Sequence, residues 1–221
     1  MPTAIDFNKV RPLFGGKLKQ SQVDGIVVTL NAWDRYGNSN VHHLAYLLAT
    51  KKWETAHTMQ PIREFGRGKG RPYGKVDSTG KAPYGRGDVQ LTWRDNYVRA
   101  DRELNLGGRL AADYDLALNP EIAVRVLITG SLEGWFTGKK LGDYSTFKDM
   151  RRVINGTDKA AQIAAIADGF LAALTSRAAE PVKETPETEQ VEPDVSTPEP
   201  KSNWLADLIA VIVNFLKGLR K

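Results

Sequence analysis

Two glutamates stand ten positions apart, Glu54 and Glu64, and a glycine-rich aromatic run follows them, Tyr84-Gly85-Arg86-Gly87-Asp88-Val89-Gln90-Leu91-Thr92-Trp93. Two carboxyls beside a polar, aromatic wall suit cleavage of a glycosidic bond. One gives a proton to the leaving oxygen, the other activates water, and aromatic faces stack on sugar rings. On a helix, Glu54 returns to nearly the same face as Leu47, seven residues earlier. Beside Trp53 it therefore lies at the edge of an apolar face, a desolvated setting that suits a proton donor. Glu64 follows Pro61 in a loop with Arg63, Arg67 and Arg71, a setting that suits a base. Taken singly, each glutamate reads equally as a surface charge, Glu54 paired with Lys51 or Lys52 and Glu64 with an arginine. The run from Tyr84 alters that balance. Gly85 and Gly87 allow close backbone approach to a ligand, Gln90 and Thr92 offer donors and acceptors, and Tyr84 and Trp93 offer flat faces.

The elements that must position these groups are mostly helical. Apolar residues recur at three- and four-residue steps over 21–33 and 39–56, each compatible with one buried face. Residues 61–90 are too rich in glycine and proline for a regular helix and predict loops or a short hairpin. Helices are expected again over 92–104, 119–134, 145–154 and 157–177, with Thr92 capping the first and Thr157 or Asp158 the last. The class is mainly α, or α+β with a small irregular or β element.

Composition narrows the chemistry. The 221 residues contain no cysteine, which removes disulfides, thiolate nucleophiles and thiolate metal ligands. Three histidines, His42, His43 and His57, do not form a zinc pattern. Neither a metal nor a cofactor is expected, and catalysis falls to carboxylates. Residues 1–177 carry 26 bases and 18 acids, a net +8 within a chain of net +5. That excess suits a polyanionic partner without choosing one. Residues 178–202 hold seven acids and two bases with repeated prolines, the composition of a disordered linker. In 203–221, Leu205, Leu208, Ile212, Phe215 and Leu219 fall at helical spacing. Trp204 stands at one end and Lys217, Arg220 and Lys221 at the other, as in a helix lying at a membrane interface. Docking on the body or self-association is the alternative. The amino terminus has charges and a Pro-Leu-Phe-Gly-Gly turn in place of an apolar signal region, so synthesis in the cytoplasm is expected.

Trp53-Glu54-Thr55, Glu64, the run Tyr84 to Tyr97 and Arg152-Val153-Ile154-Asn155-Gly156 occur in the order of the motifs of the glycoside hydrolase family 19 chitinase-like fold. The chain resembles that family, and its phage endolysin branch in particular, over roughly residues 5–175. The resemblance implies a lysozyme-like α+β catalytic domain over 1–177. It implies Glu54 as general acid, Glu64 as base and Thr92 as a hydroxyl holding the attacking water. It also implies sugar contacts from Tyr84, Arg86, Gln90, Trp93, Asn96 and Asn155. Family members of the chitinase type invert the anomeric centre, which takes carboxyls roughly 6.5–9.5 Å apart. Many relatives have histidine where this chain has Trp53, with His57 nearby; Asp77 and Asp88 are reserve candidates for the base.

Chitin and the peptidoglycan glycan strand share a β-1,4 N-acetylhexosamine backbone. The basic body, the absence of disulfides and the tail suited to lipid favour peptidoglycan as the partner. A monomer is expected, made in the cytoplasm of a bacterial host and acting on the wall from the periplasm, with 203–221 contacting the inner membrane. No nucleic-acid partner is expected. The rival reading, from another class, is a non-catalytic protein that uses Arg63, Arg67, Lys69, Arg71 and Tyr73 to track phosphates.

Overall fold

The computed structural model describes residues 3–176. The chain divides into two units, Met1–Glu180 and Pro181–Lys221, and the described residues all belong to the first. The expected linker, 178–202, and amphipathic helix, 203–221, lie outside the described residues.

In chain order, strand β1 (Thr3–Ile5) leads to a one-turn helix α1 (Phe7–Val10) and then to two longer ones, α2 (Gln20–Tyr36) and α3 (Val41–Glu54). Two short strands follow, β2 (Ile62–Arg63) and β3 (Arg86–Gly87), before α4 (Arg94–Glu103), α5 (Arg109–Ala112) and α6 (Pro120–Glu133). The last elements are α7 (Phe147–Met150), α8 (Arg152–Asn155), α9 (Ala160–Ala173) and β4 (Leu174–Ser176). The mainly α class with a small β element is the one the sequence predicts.

Helix α3 is the axis of the core. Asn40 caps it by accepting from the His42 amide, and Leu44 to Ala49 are all fully buried. A run enclosed on every side is wider than the single apolar face that spacing suggests. Helix α9 is its main partner, and its sequence, rich in alanine, permits close approach. At Gly169 a Cβ would meet the Leu13 side chain at 2.5 Å. Helix α6 has Pro120 at its first turn, an Asn119 side chain accepting from Glu121 and Ile122 amides, and Gly134 in the left-handed region at its end. These start and stop signals explain why its expected limits, 119–134, nearly coincide with the observed ones.

Elsewhere expectation and structure part. The helix expected to run to 177 stops at Ala173, and β4 pairs antiparallel with β1, Thr3 opposite Ser176 and Ile5 opposite Leu174. The partner strand lies at the other end of the domain, so local pattern could not reveal it. The helix expected over 145–154 breaks at Arg151 into α7 and α8. Thr92 does not cap α4: its hydroxyl donates to the Gln90 carbonyl at 2.7 Å, and the cap position is Trp93. Lys159, at φ 57°, precedes α9 in place of Thr157 or Asp158.

Candidate active site

Glu54 is the last residue of α3. Its side chain is 18% exposed, and Oε1 accepts a hydrogen bond of 2.7 Å from the Arg151 guanidinium. Arg151 is itself buried, with its Nε donating to the Asp158 carbonyl at 2.9 Å. The surroundings of Glu54 are therefore not the purely apolar ones expected from Leu47 and Trp53. A fixed planar donor holds one carboxyl oxygen and so orients the other. The Tyr46 hydroxyl lies in the same neighbourhood. Burial pushes this phenol up, against the pull of Thr50 and Arg151, so it stays neutral.

Glu64 is held differently. Oε1 accepts from the Tyr73 hydroxyl and Oε2 from the Gly85 amide, both at 3.1 Å, while the Glu64 amide donates to the Gly85 carbonyl at 2.8 Å. None of the arginines expected around it bonds its carboxylate. Arg63 reaches Asp115 at 3.4 Å, and Arg67 and Arg71 are exposed. Two neutral donors fix this carboxyl in place of cations.

The wall beside Glu64 is a hairpin. β3 pairs with β2, Ile62 opposite Gly87, and doubles back so that the Arg86 and Leu91 amides each donate to the other's carbonyl. Gly87, at φ 87°, brings its backbone against the Ala117 carbonyl, where a Cβ would sit at 2.9 Å. A side chain at that position is excluded by both space and conformation. Gly85 is less confined: a Cβ there would meet the side-chain atoms Gln90 Oε1 at 3.0 Å and Thr92 Oγ1 at 3.3 Å. Because the Gly85 amide holds Glu64, the Gln90 and Thr92 side chains lie next to that acid. Gln90, Thr92 and Asn96 then line a cleft of about 150 Å³ with Phe136 and Ile154. Ile154 belongs to the segment that begins at Arg151, the residue that holds Glu54.

A buried ion pair ties the two sides together. Lys51 Nζ lies 2.9 Å from Asp88 Oδ2, and both side chains are essentially unexposed. Neither has another polar partner among the described residues. Complete burial pushes the Asp88 carboxyl up, and Lys51 opposes it. Lys51 precedes Glu54 by one helical turn, so the pair pins the acid-bearing end of α3 to the tip of the hairpin.

The cleft itself is lined by Gln90, Thr92 and Asn96, and neither glutamate is among its lining residues. Asn96 donates to the Thr92 carbonyl at 2.7 Å, and Gln90 to the Ile62 carbonyl at 3.3 Å. Trp93 is 49% exposed, meets Tyr73 edge-on at 5.2 Å between ring centroids, and adopts φ 74°. A bulky residue at positive φ is a strained conformation, of the kind that gathers at ligand sites. Asn155, exposed, ends α8 beside Ile154.

Two expected sugar contacts do not reach the cleft. Tyr84 is 8% exposed and Arg86 2%, stacked on one another at 3.6 Å. Arg86 donates to the carbonyls of Ala82 and Tyr84 and pairs with Asp115 at 2.7 Å. The aromatic and the cation build the inside of the wall, because hairpin alternation turns them inward. The reserve bases fall away too. Asp88 is sealed from solvent, and Asp77 accepts from Tyr114 and Thr79. Burial would raise Asp77, but those hydrogen bonds bring it below the ordinary carboxylate value. His57 contacts Lys52, Nδ1 to Nζ 2.5 Å, rather than either acid.

Three participants were not legible as such in the sequence. Arg151 stands one residue before the motif beginning at Arg152, Tyr73 follows Pro72 in the glycine-rich loop, and Lys51 reads as an ordinary surface base. A larger recess of about 380 Å³ lies between His42, Phe147, Lys148 and Asp168. None of the motif residues lines it.

Neither known family models nor curated proteins match the sequence. The structure matches solved ones. Chitinase C from Streptomyces griseus superposes with a TM-score of 0.53 and 20% identity over 75% of this chain and 73% of the other. A bacterial family 19 chitinase, described as differing from plant enzymes, gives 0.54 and 21% over 75% and 91%. With this cleft in place, the chain has the lysozyme-like α+β fold of the family 19 chitinases.

Proposed function

We propose that the chain is a glycoside hydrolase that cuts β-1,4 bonds in the peptidoglycan glycan strand, as an endolysin does. Glu54 gives its proton to the glycosidic oxygen, and Glu64 takes one from water that Thr92 helps to hold. Gln90, Asn96, Trp93 and Asn155 contact sugar. The observation that supports this reading is a pair of carboxyls held by independent scaffolds, Glu64 by the Gly85 amide next to Gln90 and Thr92, and Glu54 by Arg151, three residues before the cleft-lining Ile154. Water attack from the face opposite the leaving group inverts the anomeric centre.

The basic body favours an anionic envelope polymer over neutral chitin. Residues 203–221 then contact inner-membrane lipid, tethered by 178–202, while the monomeric body works on the wall. A chitinase acting on chitin oligomers is the second reading, favoured because the matching solved structures are chitinases.

Mass spectrometry of products from purified peptidoglycan tests the assignment. New reducing-end N-acetylmuramic acid identifies a muramidase, and N-acetylglucosamine a glucosaminidase. An uncut strand with cleaved chitin oligomers transfers the activity to the second reading, and failure to cut either overturns both.

A further inference from the structure

The segment from Glu64 to Tyr73 has a form that catalysis at Glu64 does not require. Gly66, Gly68 and Gly70 take φ values of 81°, 71° and 76°, and Arg67 between them takes 49°. Successive turns result, with the amides of Arg67, Lys69 and Arg71 donating to the carbonyls of Glu64, Gly66 and Gly68 at 3.1, 2.9 and 2.8 Å. The loop is closed at its base, where a Cβ on Gly74 would stand 1.9 Å from the Gly68 carbonyl oxygen. The Tyr73 hydroxyl bonds back to Glu64. The result is an ordered rim whose alternate residues, Arg67, Lys69 and Arg71, are exposed cations. None of the three makes an ion pair or a side-chain hydrogen bond among the described residues. Phe65, at 85% exposure, stands beside them.

A folded loop that holds three like charges within five residues costs repulsion, and that cost is offset when anions bind. Its position specifies which anions. Both ends of the loop meet the hairpin wall: Glu64 through the Gly85 amide, whose neighbours are Gln90 and Thr92, and Tyr73 through its ring on Trp93. A strand that reaches Glu64 reaches the base of this loop. A neutral glycan offers it nothing, whereas a glycan bearing carboxylates on its side groups offers partners for each cation. We propose that Arg67, Lys69 and Arg71 form an anion-binding subsite that takes the carboxylates of the stem peptides on a peptidoglycan strand seated in the cleft, so distinguishing that strand from chitin. The inference rests on the peptidoglycan reading above and names the part of the chain that selects for it. Phe65 packs on the apolar portion of the same substituent.

The test separates binding from cutting. The full-length Glu54→Gln chain, which retains the cleft, is cosedimented with purified sacculi stripped of phosphate polymers. A second protein adds Arg67→Asn, Lys69→Gln and Arg71→Gln, asparagine being chosen because it tolerates positive φ; circular dichroism and thermal melting verify that it folds. Three exposed charge contacts correspond to a loss of affinity of about tenfold. The same loss is expected for the Glu54→Gln chain on sacculi whose carboxyls have been amidated, and both losses shrink at about 0.5 M salt, where screening is strong. Equal binding by the two proteins, or indifference to amidation, overturns the proposal. So does affinity that appears only with sacculi retaining phosphate polymers, with anionic vesicles or with nucleic acid, since each assigns the cations to another anion. Because binding is read without turnover, a wild-type chain that cuts nothing refutes the hydrolase reading alone. In a wild type that does cut, the triple substitution lowers kcat/KM on peptidoglycan relative to that on chitin oligomers by the same factor.

Discussion

Glu54 and Glu64 are held by opposite kinds of structure. Glu54 ends a helix whose middle is wholly enclosed, and a buried guanidinium holds it from a segment 97 residues away in sequence. Glu64 sits in a loop of turns, held by a phenol nine residues on and an amide 21 residues on. The first acid takes its placement from the core, the second from local backbone. Disturbing Glu54's support therefore disturbs folding, whereas Glu64's support can be removed with the fold intact.

The difference can be broken at either end. Glu54→Gln keeps shape and removes the transferable proton, so turnover on peptidoglycan falls by about 10²–10⁴-fold while the melting temperature stays within about 2 °C. A variant that retains turnover refutes Glu54 as the acid. Lys51→Met strands the Asp88 charge inside the protein, and urea unfolding should report about 3–5 kcal/mol lost. The double change Lys51→Met with Asp88→Leu recovers most of that, because no buried charge is left alone. If the double variant is no better than the single, the pair is not what pins α3 to the hairpin.

Tyr73→Phe sharpens the other side. One hydrogen bond to Glu64 is lost, and kcat drops about three- to tenfold with no change in unfolding midpoint. A large loss of stability would show that the loop belongs to the core after all. The smallest effect concerns Asp115, which braces the hairpin through Arg86, Lys81 and Arg63. Burial would raise this carboxyl, but Arg86 and Lys81 bring it down to about 2. With the folded value below the unfolded one, its contribution is present above the ordinary carboxylate range and is lost as pH falls toward about 2. Asp115→Asn should flatten the acid limb of a stability curve over that window. The group is partly exposed, so the change is modest.

What could be read early and what could not follow one physical division. The limits of α6 were visible because proline, asparagine and glycine act on the backbone next to them. The β1–β4 pair was invisible because its hydrogen bonds join residues more than 160 positions apart. Gln90, Thr92 and Asn96 stood in the sequence as residue types in a motif order, and they line the cleft, while Glu54 and Glu64 are half-buried. Tyr84 and Arg86 carried the same motif signal and proved to be interior, since facing direction in a hairpin depends on register.

The sequence by itself determined the helical class, the glycine-rich segment that follows Glu64 and the basic character of the body. Those follow from composition and from interactions a few residues long. Only the tertiary structure decided that Arg151 holds Glu54, that Tyr73 and Gly85 hold Glu64, and that Lys51 and Asp88 join the two sides. Each of those contacts exists because folding brings distant side chains within hydrogen-bond reach and removes water from between them.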